Sequence, residues 1–165
     1  MATAICDAGP LIHLDELDCL DLLSDFSSIL IPGQVWAEVK DYHSAALRKS
    51  SVPFQQVSVT IDTSSIFQTI IKTFSLDLGE QAVLSLMQSQ SADMILTDDT
   101  AARLAAQSLS YRVHGTIGII IRAIRRKQRT RDEVIDILSS IPSRSTLYVR
   151  DSFLNSLISQ VQTQA

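Results

Sequence analysis

The sequence predicts an α/β fold: a doubly wound parallel sheet with helices on both faces. Short apolar runs alternate along the chain with segments whose apolar residues recur at helical spacing. Such alternation is typical of strand, helix and strand units with right-handed crossovers. In addition, the apolar run Met94–Leu96 leads directly into Thr97, Asp98 and Asp99. Polar side chains at the carboxyl end of a buried strand face the sheet edge where ligands bind.

The composition is ordinary for one globular domain of 165 residues, with 45% hydrophobic and 19% charged residues. The net charge of −4 argues against a protein that holds nucleic acid by bulk positive charge, so only local basic patches could serve. Cys6 and Cys19 lie in apolar surroundings without zinc-binding spacing. We expect both to be reduced core residues.

No targeting or membrane-spanning segment is predicted. The N-terminus lacks a basic stretch followed by an apolar run of signal-peptide length. The longest apolar run, Ile117–Ile121, is too short to cross a bilayer. We therefore expect a cytoplasmic protein without membrane association.

The N-terminal half begins with a predicted strand at Ala2–Cys6, after which Pro10 is placed to open a helix. Leucines then recur at helical spacing over Leu11–Leu23, with acidic residues on the solvated side. The remaining elements of this half are a strand at Ser28–Ile31, a helix opened by Pro32-Gly33, a weaker strand at Val57–Val59 and an amphipathic helix at Ser64–Phe74.

The C-terminal half continues the alternation. It contains a buried helix at Gln81–Met87, the central strand Met94–Leu96, a helix at Thr100–Leu109, a fifth strand at Tyr111–His114 and a helix at Ile119–Lys127. A capping-box pattern at Thr130 opens a helix to Leu138, and Pro142 is expected to separate it from a last helix at about Val149–Ile158.

Each acidic residue of interest has an ordinary structural explanation when taken singly. Asp99 lies between a strand and a helix, where an Asp caps the helix. Glu38 in mid-helix is a common exposed helix former, and Glu80 in a first turn complements the helix dipole. The adjacent pair of Asp98 and Asp99, however, repels itself unless a cation or hydrogen-bond donors neutralise it.

Taken together, the acids converge. Asp7 and Asp99 each follow a strand, and Glu38 and Glu80 would enter from neighbouring helices, so four carboxylates are expected at one sheet edge. Oxygen ligands without His or Cys partners suit Mg²⁺ or Mn²⁺ rather than zinc. Such ions offset the cost of clustered carboxylates and activate water for attack on a phosphoryl group. Thr97 could orient a ligand or hold a metal-bound water.

Five short motifs follow one another along the chain. They are Asp7-Ala8-Gly9-Pro10-Leu11-Ile12, Ile31-Pro32-Gly33-Gln34-Val35-Trp36-Ala37-Glu38, Leu78-Gly79-Glu80-Gln81-Ala82, Leu96-Thr97-Asp98-Asp99 and His114-Gly115-Thr116-Ile117-Gly118. In this order they resemble the motifs of PIN-domain ribonucleases, specifically the VapC-like toxin branch.

The resemblance covers roughly Ala2–Lys127 and implies a five-stranded parallel sheet surrounded by helices. It implies a single PIN-like domain over 1–165, with a core at about 2–127 and a helical extension at about 130–160. The implied activity is metal-dependent endonucleolytic cleavage of RNA, often restrained by a partner antitoxin. A homodimer is also implied, with the apolar segment Leu11–Leu23 as a candidate partner surface.

The resemblance also assigns roles. It implies Asp7 and Asp99 as direct metal ligands, with Glu38 and Glu80 completing the catalytic site directly or through water. Family spacing favours Asp99 over Asp98, which would then act as a cap or an outer ligand.

Basic residues are candidates for phosphate contacts. They are His43, Arg48, Lys49 and the cluster formed by Arg122, Arg125, Arg126, Lys127 and Arg129. Taken singly, each is more typical of a solvated helix end. His13 and His114 are expected to be structural rather than catalytic.

Two other function classes compete with the ribonuclease. A PIN-like module that no longer cleaves would act as a binding or regulatory subunit, but retention of all four acids disfavours it. A phosphotransfer receiver shares the doubly wound fold, but its acidic pair follows the first strand, whereas here the pair follows the fourth.

Overall fold

The computed structural model describes residues 1–48 and 51–164 and contains one five-stranded sheet. All of its strand pairs are parallel, and the strand order is β3-β2-β1-β4-β5. The strands are β1 (Thr3–Cys6), β2 (Ser28–Pro32), β3 (Phe54–Val57), β4 (Met94–Leu96) and β5 (Val113–His114). The predicted α/β fold with a parallel sheet is thereby confirmed.

Helices surround this sheet. They are α1 (Ala8–Glu16), α2 (Gly33–His43), α3 (Ser65–Phe74), α4 (Leu78–Ser89), α5 (Thr100–Ser108), α6 (Thr116–Arg125), α7 (Arg131–Arg144) and α8 (Asp151–Thr163). Short 3₁₀ turns occur at Leu20–Leu23 and Ala46–Arg48. In the part of the chain that the structure describes, no helix has the length and apolar content to cross a membrane.

The two central strands, β1 and β4, define the switch point of the sheet. From β1 the chain adds β2 and then β3 on one side, whereas β4 and β5 lie on the other. A crevice opens at the carboxyl ends of the strands where the strand order reverses in this way. The backbone amide of Asp7 donates to the carbonyl of Leu96 at 2.9 Å, which aligns the ends of β1 and β4.

The leucine-rich segment after β1 is not one continuous helix. Helix α1 ends at Glu16, and Asp18 adopts a left-handed conformation with φ of 53°, so the chain turns before Leu20–Leu23. The leucines of this segment are buried in the core. The expectation that Leu11–Leu23 forms a partner surface is therefore wrong, because the chain's own helices already cover it.

Two further boundaries differ from the sequence prediction. Strand β3 begins at Phe54, three residues before the predicted start at Val57, because Phe54 pairs with Ile29 of β2. The carbonyl of Val59, predicted to lie in this strand, accepts a hydrogen bond from the Gln34 side chain. Helix α7 continues through Pro142 to Arg144. Proline this close to the helix end removes only one late hydrogen bond, and Ile141 beside it is buried.

The last two helices pack onto the rest of the fold through a shared apolar core. Helix α7 contacts α6, and α8 contacts α7. Val134, Leu138 and Leu154 from these helices belong to the same buried cluster as the sheet residues. Cys6 and Cys19 are also buried and carry free thiols, as the sequence predicted.

Three members of the predicted basic cluster are engaged in ion pairs. The Arg122 guanidinium is buried, lies 4.5 Å from the Phe26 ring centroid and binds Asp25 at 3.0 Å. Two further pairs tie the cluster to the same segment, namely Arg126 to Asp25 at 3.1 Å and Arg129 to Asp21 at 2.8 Å. These three arginines, which the sequence offered for phosphate contacts, already have carboxylate partners and hold the end of α6 against the chain before β2.

Asp25→Ala is expected to lower the free energy of unfolding by about 2–4 kcal/mol, because it leaves the buried Arg122 guanidinium without its carboxylate. Urea denaturation of the two proteins measures the difference. Asp136→Ala is the matched control, since Asp136 is exposed and forms no ion pair with the described residues. The control should change the stability by less than about 0.5 kcal/mol. Equal stability of Asp25→Ala and the control would show that the ion pair adds nothing.

Candidate active site

An acidic cleft of ≈ 340 Å³ opens at the carboxyl ends of β1 and β4. Its lining consists of Asp7, Ala8, Gly9, His13, Glu38, Asp77, Glu80, Asp98, Asp99, Leu147 and Tyr148. All five carboxylates that the sequence singled out thus line one cleft. The folded chain brings them together because three follow the ends of β1 and β4 and two enter from α2 and α4.

Asp7 lies at the inner end of the cleft and caps α1. Its Oδ1 accepts from the amide of Ala8 at 2.9 Å, and its Oδ2 accepts from the hydroxyl of Thr97 at 3.0 Å. The residue is only 9% exposed. Burial raises the pKa of Asp7 to about 6, although these two hydrogen bonds act in the opposite direction. The folded protein therefore bears a cost for ionising this carboxyl group.

Thr97 connects the two central strand ends. Its fully buried hydroxyl donates to Asp7 and accepts from the amide of Asp99 at 3.2 Å. The sequence suggested that Thr97 orients a ligand or holds a metal-bound water. In the structure this hydroxyl orients the Asp7 carboxylate.

The adjacent acids Asp98 and Asp99 have different partners. Asp98 accepts from Nδ1 of His13 at 2.7 Å and from the amide of Thr116 at 2.6 Å, and the Thr116 hydroxyl also donates to it. Burial acts to raise the pKa of Asp98, but these donors outweigh it, so the pKa is lowered. Asp99 caps α5 with Oδ2, which accepts from Ala102 at 2.9 Å, and is exposed.

Asp98 and Asp99 have different roles in the fold. The capping residue is Asp99, not Asp98, because Asp99 immediately precedes α5. Asp98 is instead neutralised by donors from α1 and α6, which explains how two adjacent carboxylates are tolerated. Asp99 retains a second oxygen for a ligand.

Gly115 is required for the Asp98 network. A Cβ at this position would lie 2.7 Å from both Oδ1 of Asp98 and Nη2 of Arg103, closer than real Cβ contacts occur. The backbone must approach the carboxylate because the next amide, from Thr116, donates to it. The Gly-Thr pair of the fifth motif therefore serves to hold Asp98.

Glu80 and Asp77 form a capping box at the start of α4. Oε2 of Glu80 accepts from the amide of Asp77 at 2.9 Å, and Oδ1 of Asp77 accepts from the amide of Glu80 at 2.8 Å. Glu80 is only 8% exposed rather than a surface residue. Burial raises the pKa of Glu80 to about 7, and the charges of Asp77, Asp99 and Asp7 add to the shift.

Sequence reasoning missed Asp77 as a residue of the site. It lines the cleft and adds negative charge next to Glu38, Glu80 and Asp7. The signal was present in the chain, since an Asp three residues before a Glu at the start of a helix is a capping-box pattern.

Glu38 approaches the cleft from α2 and is the most weakly held of the acids. It is exposed, and its Oε2 lies 3.8 Å from the position that a Cβ on Gly79 would take. Partial burial and the charge of Asp77 raise its pKa.

The cleft fits a hard divalent cation by its donor chemistry. Its ionisable lining side chains are carboxylates, one imidazole and one phenol, without Lys or Arg among the described residues. Within residues 1–48 and 51–164, no three His, Cys, Asp or Glu side chains are already grouped as metal ligands. The raised pKa values of Asp7 and Glu80 reflect burial and like charge that a divalent cation would offset.

The remaining histidines and basic candidates lie as follows. His13 binds Asp98, which fits the structural role predicted for it. The pKa of His114 is lowered by burial and by neighbouring arginines. Nδ1 of His43 lies 3.5 Å from Oδ2 of Asp15, Arg48 is exposed, and Lys49 lies outside the described residues.

The parallel sheet and the acidic cleft at its switch point define an α/β protein of the PIN-like class. A family model described as a PIN domain matches residues 3–163. The chain therefore belongs to the PIN-domain family, whose members are generally nucleases. The matched range includes α7 and α8 as well as the sheet. No curated protein matches the chain.

Metal-free protein should lose stability as the pH rises from about 4 to about 8. The folded state binds more protons in this window, because the pKa values of Asp7 and Glu80 are raised to about 6 and about 7. Asp7→Asn removes one of these charges, so at pH 8 the variant should be about 1–3 kcal/mol more stable than the wild type. The difference should vanish near pH ~4. Urea denaturation in chelator measures it.

Asp98→Asn is a control for which the change in stability at neutral pH should have the opposite sign. The lowered pKa of Asp98 stabilises the fold above its unfolded-state pKa, and this contribution is lost as the pH falls. The variant should therefore be less stable than the wild type at neutral pH. Destabilisation of both variants at neutral pH would contradict the electrostatic account of Asp7.

Proposed function

We propose that the protein is a metal-dependent endoribonuclease that cleaves RNA phosphodiester bonds with Mg²⁺ or Mn²⁺. The observation that carries this proposal is the gathering of the four motif acids in one cleft at the switch point. Asp7, Glu38, Glu80 and Asp99 all line it. An oxygen-only donor set suits these ions, and membership of a nuclease family supports the reaction class.

Different acids are suited to different roles. Asp7 and Asp99 are proposed as the direct ligands, since they extend from adjacent strand ends and are linked through Thr97. Glu38 and Glu80 would complete the site directly or through water. Asp98 is proposed as an outer residue, because His13 and Thr116 already bind its oxygens.

The cation would activate a water molecule and stabilise charge on the phosphoryl group. The chain's own contribution is to hold the acids in place before the substrate arrives. The buried hydroxyl of Thr97 orients Asp7, and the network of Asp98, His13 and Thr116 fixes the loop that carries Asp99. Such preorganisation reduces the cost of assembling the site during the reaction.

We further propose that the nuclease is the toxin of a toxin–antitoxin pair, a VapC-like protein acting in the cytoplasm. The order of its five sequence motifs supports this. An antitoxin partner and a homodimer are proposals of the same origin. A dimer surface would have to lie outside Leu11–Leu23, whose leucines are buried.

The variant Asp7→Asn/Asp99→Asn is expected to cleave single-stranded RNA at least about 100-fold more slowly than the wild type. The two acids supply the ligands from both central strands, so their loss should remove metal-dependent activity. Gel analysis of a mixed RNA pool with Mg²⁺, Mn²⁺ or chelator measures the rates. Asp136→Asn, which alters an exposed acid outside the cleft, should cleave like the wild type.

Thermal unfolding separates the ribonuclease from a non-catalytic PIN-like module. A metal that binds the native state must stabilise it, so Mg²⁺ or Mn²⁺ should raise the Tm of the wild type more than that of the double variant. Cleavage that survives both substitutions would refute the proposed site. Absence of both cleavage and metal-induced stabilisation would favour the module.

Inducible expression in a bacterial host tests the toxin role separately. The wild type should arrest growth because it degrades cellular RNA, whereas Asp7→Asn/Asp99→Asn at the same protein level should not. Asp136→Asn should arrest growth like the wild type. Normal growth with a wild-type protein that cleaves RNA in vitro would remove the toxin role and leave the nuclease.

A further inference from the structure

A second groove, of ≈ 650 Å³, adjoins the acidic cleft. Its lining comes from Asp98 after β4, Arg103 on α5, β5, the start of α6 and the segment from Leu147 into the first turn of α8. The groove and the cleft share Asp98, Leu147 and Tyr148. A ligand that occupies one of them can therefore extend directly into the other.

The side of the groove formed by the last helices presents two aromatic rings to solvent. Tyr148 is 87% exposed and Phe153 is 54% exposed. Exposed aromatic rings in a groove beside the acidic cleft offer a stacking surface to an unstacked base.

Cationic side chains complete the groove. Arg103 is held in place by the Thr97 carbonyl, which accepts from its Nη2 at 3.3 Å, and Arg150 is exposed at the start of α8. Neither guanidinium lies within 4.0 Å of a carboxylate among the described residues. Both thus remain free to bind an anion, unlike Arg122, Arg126 and Arg129 at the other end of α6.

We propose that this groove binds an unpaired nucleotide of single-stranded RNA next to the phosphate that is cleaved. The base stacks on Tyr148 and Phe153, and Arg103 and Arg150 contact the flanking phosphates. The proposal rests on the proposed ribonuclease function and adds the site of a nucleotide beside the acids and the residues that hold it.

Charge favours a nucleic acid over a peptide in this groove. A polyanion is repelled by the acidic cleft and by a net charge of −4, so it needs local cations beside the reaction site. Arg103 and Arg150 supply them on the side that is continuous with the cleft. Aromatic rings interleaved with arginine are the usual platform for single-stranded nucleic acid, because every base has a face to stack.

The segment that carries Tyr148 is anchored from the opposite side. Oε1 of Glu16, at the end of α1, accepts from the Ser145 hydroxyl at 3.1 Å and from the amide and hydroxyl of Thr146, both at 2.9 Å. The amide of Leu147 then donates to the Ser145 hydroxyl at 3.1 Å. The ring of Tyr148 is therefore presented from an ordered segment, which lowers the entropy cost of binding a base.

Binding is measured apart from cleavage, with the full chain carrying Asp7→Asn. The probe is a fluorescein-labelled single-stranded RNA of mixed sequence, about 12 nucleotides long, followed by anisotropy. Adding Tyr148→Ala should weaken binding about tenfold, whereas Tyr148→Phe should retain most of it. Arg150→Ala should reduce the dependence of log affinity on log salt by about 0.7. Tyr42→Ala and Arg144→Ala, at exposed positions outside both grooves, should bind normally.

A 2-aminopurine base placed at successive positions of the RNA reports stacking directly. Quenching at one position that disappears with Tyr148→Ala supports the groove, even if the wild type cleaves no RNA and the proposed function fails. Cleavage by the wild type with binding unchanged by Tyr148→Ala and Arg150→Ala overturns the groove and leaves the nuclease. Tyr148-dependent binding of an acidic peptide without RNA binding also overturns it and assigns the groove to a protein partner.

Discussion

The structure depends on one buried hydroxyl group at the join of the two central strands. Thr97 donates to the Asp7 carboxylate and accepts from the Asp99 amide, so it links the residue after β1 to the residue that caps α5. This contact is possible only because β1 and β4 are neighbours, although 87 residues lie between Cys6 at the end of β1 and Met94 at the start of β4. Without it, Asp7 would keep its buried charge but lose a donor that holds one of its two oxygens in place.

Much of the fold and the candidate site could be predicted from the sequence, because both follow from periodicity. Alternating strands and helices imply a parallel sheet, and parallel strands bring their carboxyl ends to one edge. That reasoning placed Asp7 and Asp99 together. It could not reveal how Asp98 is neutralised, since His13 and Thr116 approach it from α1 and α6, 85 and 18 residues away. The break after Glu16 was also hidden, because leucines on either side of the turn kept their helical spacing.

The ion pairs were the least predictable feature, because they depend on tertiary contacts rather than on neighbours in the sequence. The densest basic run of the chain resembled a phosphate-binding patch. In the folded chain three of its arginines are bound to Asp21 and Asp25, about a hundred residues away in the sequence. The two arginines of the second groove, Arg103 and Arg150, lie outside any basic cluster in the sequence, so no pattern marks them as candidates for anion binding. Only the structure shows which guanidinium groups have carboxylate partners.

Helix α1 connects the acidic cleft to the segment that carries Tyr148. Asp7 caps its N-terminus inside the acidic cleft, and Glu16 at its other end holds the segment that carries Tyr148. A carboxylate at a helix C-terminus opposes the helix dipole, so Glu16 is stabilised there by the three donors that it receives. The helix is nine residues long, or about 14 Å. The same helix thus orients a carboxylate inside the cleft and ties down the segment that brings Tyr148 to the cleft's lining.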